Sequence, residues 1–505
     1  MEYSLFLFVL VVVILLLRRC RRRTRRNNNH RPPRANLVAF LVNGHRFLDW
    51  STTLLAAAPA STMEVYGPLG SGHRGVTTAN PAVVEHIVRG NFHNYVKGDR
   101  IKTAFADLLG DDGIFLADGR RWILQRKLAS YSFSPRVIRR FAARVVGDQL
   151  RRRLLPFFAA AADDGRVFDL QDLLRRFTFD NICSFAFGVD HDSSSAAMEG
   201  GGDRRDSAFF AAFDDAVDIS FGRILHPTTV VWKVMKLLDV GSERRLRRAI
   251  AVVDEYVTTI MADSSEQRRR RCSDEEEEEP DDLLSRFTAA MEEDDGDGDG
   301  ELGEMFSSPA AKQLFLRDTV KTFAVAAVED TYYDELKKMH YLHASITETM
   351  RLYPPVPMAS RVAAAGDVLP DGTAVEAGWF ADYSSYAMGR MKSIWGEDCG
   401  EFRPERWLNG DAGGGEFVGV DAARYPVFHG GPRSCLGKEM AYVQMKAVAD
   451  AVIRRFAVEV VAPPRHEMAV TLRMKGGLRV RVSRRRAVSS GMGRLGHVID
   501  GPSAS

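Results

Sequence analysis

Long stretches of helical periodicity, broken by short runs of strand-like sequence, predict a mainly α-helical protein with small β-sheets. Three observations carry that reading. Trp122 and Arg126 stand four apart on one face of a helix over residues 118–134, DGRRWILQRKLASYSFS. Residues 438–456, KEMAYVQMKAVADAVIRRF, are amphipathic at the same period. Strand-like sequence with turn residues is confined to short stretches, 369–390 and 475–482. A chain of 505 residues that is 45% hydrophobic can bury a large core, as one big domain or two or three smaller ones. A net charge of +2 gives no reason to expect nucleic acid as a partner. The five cysteines are odd in number and scattered, so no disulfide framework is expected and the body should face a reducing compartment.

The most informative stretch is residues 428–437, FHGGPRSCLG. Around Cys435 it carries Phe428 seven residues back, Gly431 four back, Arg433 two back and Gly437 two ahead. At average residue usage such a coincidence falls on the order of once per hundred thousand cysteines. The chain therefore resembles the cytochrome P-450 family, a single large heme-enclosing domain. The resemblance implies heme b (iron protoporphyrin IX), with Cys435 as the thiolate that holds the iron. The glycines Gly431 and Gly437 are expected to permit a tight turn through positive φ, with backbone N–H groups aimed at the sulfur. Arg433 is placed to meet a heme propionate, and Phe428 can pack beside the macrocycle. In the family the Trp122 and Arg126 pair also binds a propionate. Arg120, Arg121 and Lys127 beside them form a cationic face suited to an acidic electron donor.

Taken in order, residues 1–17, MEYSLFLFVLVVVILLL, carry no Lys or Arg, and RRCRRRTRR follows at once. Seventeen helical residues reach ~26 Å, just short of a hydrocarbon core. Positive charge after the apolar run favours a single-pass anchor with a cytosolic body over a cleaved leader. Residues 18–46 then form a basic, proline-containing linker, and 47–482 the catalytic domain. Within it, residues 177–190 read as a core helix with Cys183 as packing, and 193–206 as a loop. Residues 264–282 and 292–303 are low-complexity charged inserts. Asp295, Asp297, Asp299 and Gly300 suit a calcium loop, but Phe306 stands where its last acidic ligand is required, so no calcium site is expected. Residues 483–505 read as a disordered tail.

Ser308 and Pro309 should open a helix running to Thr331. The resemblance makes this the helix over the distal heme face, whose acid and Thr relay protons to bound oxygen. The corresponding segment is AAVEDT, 326–331, and either Glu329 or Asp330 can take the acid's place beside Thr331. Glu348 follows only 17 residues later, so a family segment is missing near 331–334. Beyond that junction Glu348 and Arg351 are i and i+3 on one helical face. FRPERW, 402–407, brings Arg406 as third member of what the family uses as a buried, structural ion network.

A finer resemblance is to plant fatty-acid and jasmonoyl-amino-acid hydroxylases. It rests on FHNYVKGDR (92–100), DVGSERRLRRAI (239–250), YAMGRM (386–391), IWGEDC (394–399) and HGGPRSCLGKEMAYVQMK (429–446). It implies a monooxygenase in the endoplasmic reticulum membrane, hydroxylating a lipid-like carboxylate-bearing substrate with O2 and electrons from an NADPH-cytochrome reductase. Two alternatives stay open: a heme-binding pseudoenzyme without turnover, and a reductase-independent isomerase on the same scaffold.

Overall fold

The computed structural model describes residues 42–66, 74–111, 113–133, 146–187, 204–225, 229–271, 336–410 and 415–485. The apolar segment 1–17, most of the linker, the calcium-like loop, the whole stretch holding Glu329, Asp330 and Thr331, and the junction at 331–334 lie outside them. Among the described residues no helix is long and apolar enough to cross a membrane.

The described chain is mainly helical. Its principal helices are α1 (Phe47–Ala57), α2 (Pro81–Glu85), α3 (Gly98–Leu109), α4 (Gly119–Ser132), α5 (Leu155–Asp164), α6 (Leu170–Phe187), α7 (Arg204–Leu225), α8 (Thr229–Leu238), α9 (Gly241–Arg271), α10 (His340–Leu352) and α11 (Lys438–Arg455). The strands that matter for the site are β1 (Thr62–Tyr66), β2 (Arg74–Thr78), β3 (Tyr95–Val96), β4 (Val167–Asp169), β5 (Ala359–Ala363), β6 (Phe380–Tyr383), β7 (Phe456–Val460) and β8 (Arg479–Arg484). The larger sheet has the order β1, β2, β6, β5, β3 and is antiparallel except where β2 runs parallel to β6, Thr78 opposite Tyr383. The smaller sheet has the order β7, β8, β4.

Five apolar cores hold the described layers, and three of them matter most here. One joins the larger sheet to α2 and to Trp395 and Trp407. A second gathers Ala129 of α4, Phe179, Ile182, Cys183 and Phe185 of α6, Phe209 and Phe210 of α7, Val253 and Val257 of α9, and Met440 of α11. Its aromatic centre is tight, with Phe209 and Tyr256 stacked at 4.2 Å. Each ring buried there contributes roughly 1.5–3 kcal/mol. Cys183 is fully buried among them, as packing. A third core sets α11 against α5 and the smaller sheet. Helix α11 contributes to three of the five cores, the last of them through Tyr442 with Met350 and Val427, so the cysteine loop that precedes it is held from several sides.

Several expected boundaries move. Helix α7 begins at Arg204, inside the stretch read as a loop, because Asp206 is buried and accepts the Tyr256 hydroxyl at 2.6 Å. Helix α9 continues to Arg271, through the first part of the insert, since an arginine run is a good helix former however charged it is. Strand β8 extends to Arg484, because Ser483 and Arg484 pair with Ala457 and Phe456, so two residues assigned to the tail belong to the sheet. Residues Ser385–Met388 form a helical turn rather than strand, capped where Ser384 Oγ accepts the Ala387 N–H at 3.1 Å. Residues 42 and 43 are already helical, within the stretch read as linker.

Candidate active site

The cysteine loop is a strand-free bend between two short 3-10 turns, Pro426–Phe428 and Gly431–Arg433, and the start of α11. Its closure is backbone-made: the Cys435 N–H donates to the Phe428 carbonyl at 2.9 Å, and the Ser434 N–H to that of Gly431 at 3.0 Å. Gly431 takes φ +63°, and a Cβ there would stand 1.9 Å from the Val88 carbonyl oxygen, so both conformation and space demand glycine. Gly437 corrects the expectation: its φ is −83°, and a Cβ would meet only ordinary contacts, 3.7 Å to Phe133 and 3.9 Å to Cys435 Sγ. What Gly437 supplies is its backbone N–H, which donates to the Cys435 sulfur. Burial pushes the Cys435 thiol up, opposed by that N–H and by the charges of Arg126 and Lys438. Phe428 packs at 5.4 Å from the Tyr442 ring.

Trp122 is buried, and the Arg433 guanidinium lies over its ring at 4.4 Å. Arg433 Nη2 donates to the Ala117 carbonyl at 2.8 Å and to Asp118 Oδ1 at 2.7 Å. Its Nε is buried without a hydrogen-bond partner among the described residues. Burial, reinforced by the charge of Arg361, lowers the Arg433 pKa to about 10. Arg126 is half-buried, its Nη2 3.5 Å from Ser434 Oγ, and burial lowers its pKa against the attraction of Cys435. The structure thus brings Trp122, Arg126, Phe428, Gly431, Arg433, Cys435 and Gly437 to one place.

Three further residues feel the charge of Arg433 or of one another, and this was not legible in the sequence. Lys97, just before α3, is held well below its ordinary pKa by burial and by Arg361 and Arg433. Arg361 of β5 is 5% exposed and donates to the Ser360 carbonyl at 2.8 Å. His429 of the loop is kept neutral, at a pKa of about 3, by burial and by Arg361 and Lys97. None of Lys97, Arg126 and Arg361 makes an ion pair among the described residues, and Asp118, which Arg433 uses, also takes Lys102 at 3.2 Å. Four cations around one shared carboxylate are an excess that a folded interior does not leave unanswered. Two carboxylates from a ligand would offset most of it, which is what the propionates of a heme bring. The donor set therefore fits heme: a thiol for the iron and surplus cations for its acidic edge. No group of three or more His, Cys, Asp or Glu suited to a bare metal ion exists among the described residues.

Glu348, Arg351 and Arg406 are also assembled, behind the loop. Arg351 Nε and Nη2 donate to the two Glu348 oxygens at 2.7 and 2.8 Å. Arg406 Nε donates to Oε1 at 2.9 Å. The Arg403 N–H at 2.8 Å and Trp407 Nε1 at 2.9 Å complete five donors to one carboxylate. Arg351 spends its remaining donors on the carbonyls of Gly389, Cys399 and Glu401. Burial alone would raise the Glu348 pKa, but those hydrogen bonds outweigh it and hold the carboxyl below its ordinary value. Gly389 is required here, since a Cβ would stand 2.0 Å from the Arg351 carbonyl oxygen.

Comparison with known proteins gives the family. The family model described as Cytochrome P450 matches residues 62–331 and again 302–478. Cytochrome P450 CYP94D108 of Paris polyphylla is 41% identical over 483 residues, covering 90% of this chain and 92% of the relative. Cytochrome P450 94A1 of Vicia sativa is 36% identical, covering 90% of each chain. Cytochrome P450 94B3 of Arabidopsis thaliana is 38% identical, covering 90% and 91%. The crystal structure of the cytochrome P450DA heme domain superimposes with a TM-score of 0.67 at 17% identity, over 90% of this chain and 97% of that one, which speaks for the fold alone. This chain accordingly belongs to the cytochrome P450 family, heme b monooxygenases that place one atom of O2 into a substrate.

Proposed function

We propose that this chain hydroxylates a fatty acid or a related carboxylate-bearing lipid, using electrons that an NADPH-cytochrome reductase delivers. The observation that carries the substrate class is the likeness to the 94-series relatives, 36–41% over about nine-tenths of the chain, together with the stretches that resemble plant fatty-acid hydroxylases. Bound through a thiolate, heme supplies the activation of O2. Cys435 would be that ligand: its sulfur already faces the Gly437 N–H, and coordination would displace the proton that burial holds on it. Trp122, Arg126 and Arg433, with Lys97 and Arg361, would hold the propionates, and Phe428 would pack beside the ring. Glu329 or Asp330 with Thr331 would move protons on the distal side. Residues 1–17 would anchor the domain, residues 47–482, to the endoplasmic reticulum with its body in the cytosol.

A second reading, a heme-binding pseudoenzyme, is favoured by one finding. The family match falls into two stretches that overlap at residues 302–331, next to the suspected junction. The test is the reduced carbon-monoxide spectrum of the expressed protein, then NADPH and O2 consumption with a long-chain fatty acid. A thiolate-type spectrum with hydroxylated product supports the hydroxylase. The same spectrum with no product supports the pseudoenzyme, and loss of the spectrum overturns both. Sequencing the transcript across 331–334 shows whether the short junction is encoded.

A further inference from the structure

His429 has a backbone conformation that its side chain opposes. It follows Phe428 in the cysteine loop with φ +59° and ψ −167°, a combination that glycine alone takes without strain. Only three other described non-glycine residues, Ala60, Ser61 and Asp239, have positive φ. A side chain kept at a strained position of a binding loop is best explained by what it touches. The His429 ring meets Tyr383, the last residue of β6, whose hydroxyl lies 3.0 Å from His429 Nδ1. Tyr383 is fully buried and this is its one side-chain hydrogen bond among the described residues. The same imidazole feels the charges of Arg361 and Lys97, the two cations of the cluster that are not on the loop or on α4.

A neutral imidazole has one donor and one acceptor nitrogen. With the tyrosine O–H donating to Nδ1, Nε2 carries the proton and acts as a donor; with the roles reversed, Nε2 is a lone pair beside two cations. A carboxylate lodged between Lys97 and Arg361 selects the first arrangement, because it accepts from all three groups at once. We propose that His429 is a heme-propionate donor through Nε2–H, and that Tyr383 is a positioning residue that fixes its tautomer from β6. This rests on the reading that the cation cluster receives the propionates. It explains why the loop tolerates a strained histidine where glycine would be comfortable: the Tyr383 hydrogen bond offsets part of the strain and a bound propionate would offset the rest.

The test compares His429→Gly, His429→Gln, Tyr383→Phe and Arg361→Ala with the parent, each loaded with heme. The measurements are the rate of heme loss to excess apomyoglobin, the thermal midpoint of the heme-free chain, and the reduced carbon-monoxide spectrum. One hydrogen bond to a charged acceptor corresponds to heme loss about tenfold faster in His429→Gly. In the heme-free chain the midpoint of that variant against Tyr383→Phe separates relief of the backbone from loss of the Tyr383 hydrogen bond. His429→Gln, whose amide N–H can replace Nε2–H, should recover part of the retention, and Tyr383→Phe should lose part of it. All four should keep the thiolate-type spectrum. If Arg361→Ala speeds heme loss and His429→Gly does not, the assignment of His429 is overturned while the cation reading stands. If His429→Gly speeds it and Tyr383→Phe leaves it unchanged, the role of Tyr383 is overturned. If neither Arg361→Ala nor His429→Gly changes it, the cation reading itself fails.

Discussion

Replacing Glu348 by alanine removes the acceptor of five hydrogen bonds and the only carboxylate in contact with Arg351 among the described residues. Both side chains are fully buried, and Arg406 is only 11% exposed. The carbonyls of Gly389, Cys399 and Glu401 would still receive Arg351 but cannot neutralise it. An uncompensated buried charge of this kind costs ~3–5 kcal/mol, against a total stability of ~5–15 kcal/mol. Asp398 gives the contrast: it binds Arg403 and Arg406 at the surface edge of the same network, where solvent screens the pairs, and its loss should cost far less than that of Glu348. Denaturant unfolding of the heme-free chain measures both. Because the folded-state pKa of Glu348 lies below its ordinary 4.5, its contribution is fully present above pH 4.5 and is lost as pH falls through the folded value. The gap between parent and Glu348→Gln should therefore narrow in acid. Equal losses for Glu348→Ala and Asp398→Ala, or a Glu348→Ala midpoint indistinguishable from the parent, would refute the buried-charge argument.

Other expectations follow from single distances. Gly431→Ala must displace the Val88 carbonyl and hold alanine at φ +63°, so the fraction of expressed protein with a thiolate-type carbon-monoxide spectrum should fall several-fold, at a cost of ~1–3 kcal/mol from the backbone alone. Gly437→Ala, with contacts of 3.7 Å and beyond, should keep that spectrum. Arg361→Met should act with opposite signs on the two forms, raising the thermal midpoint of the heme-free chain by removing one uncompensated cation and accelerating heme loss from the loaded one. His343 is stacked between Phe417 at 4.0 Å and Tyr442 at 4.1 Å and is held at a pKa of about 3 by burial and by Lys446 and Lys438. It is a depressed group, so its contribution is present above the unfolded value of 6.5 and lost as pH falls toward 3, at no more than about 1.4 kcal/mol per pH unit. His343→Phe should flatten the pH dependence of unfolding between pH 6.5 and 5.

How much was legible follows from where the determinants sit. The cysteine loop, the helix of Trp122 and Arg126, and the Glu348 and Arg351 pair are local patterns, so spacing alone exposes them. Lys97 and Arg361 are single cations in ordinary surroundings, 264 residues apart, and become a pair only when β3 hydrogen-bonds to β5 with Val96 opposite Val362. No local pattern could have paired them. His429 was visible as a residue but not as a strained one, because strain is a property of φ and ψ. Gly437 was misread for the converse reason: glycine permits positive φ, but α11 starts there and needs a free N–H instead. The boundaries at Arg204, Arg271 and Arg484 moved because Tyr256, helix propensity and the β7 partner reach past the points where composition changes.

The two charge clusters are balanced by opposite means, and that difference ties folding to cofactor. Around Glu348 the chain supplies both signs, so the network is satisfied before anything binds. Beside the cysteine loop it supplies four cations and one shared carboxylate, and the deficit is left for a ligand to fill. The heme-free chain must therefore fold against a repulsion that the loaded chain does not feel. Binding to the folded form alone adds about 2.7 kcal/mol at a hundred times the dissociation constant, and relief of that repulsion is part of what makes the constant small. Any change that neutralises the cluster within the chain, as Arg361→Met does, should uncouple the two: a sturdier apoprotein, and a heme that leaves it more readily.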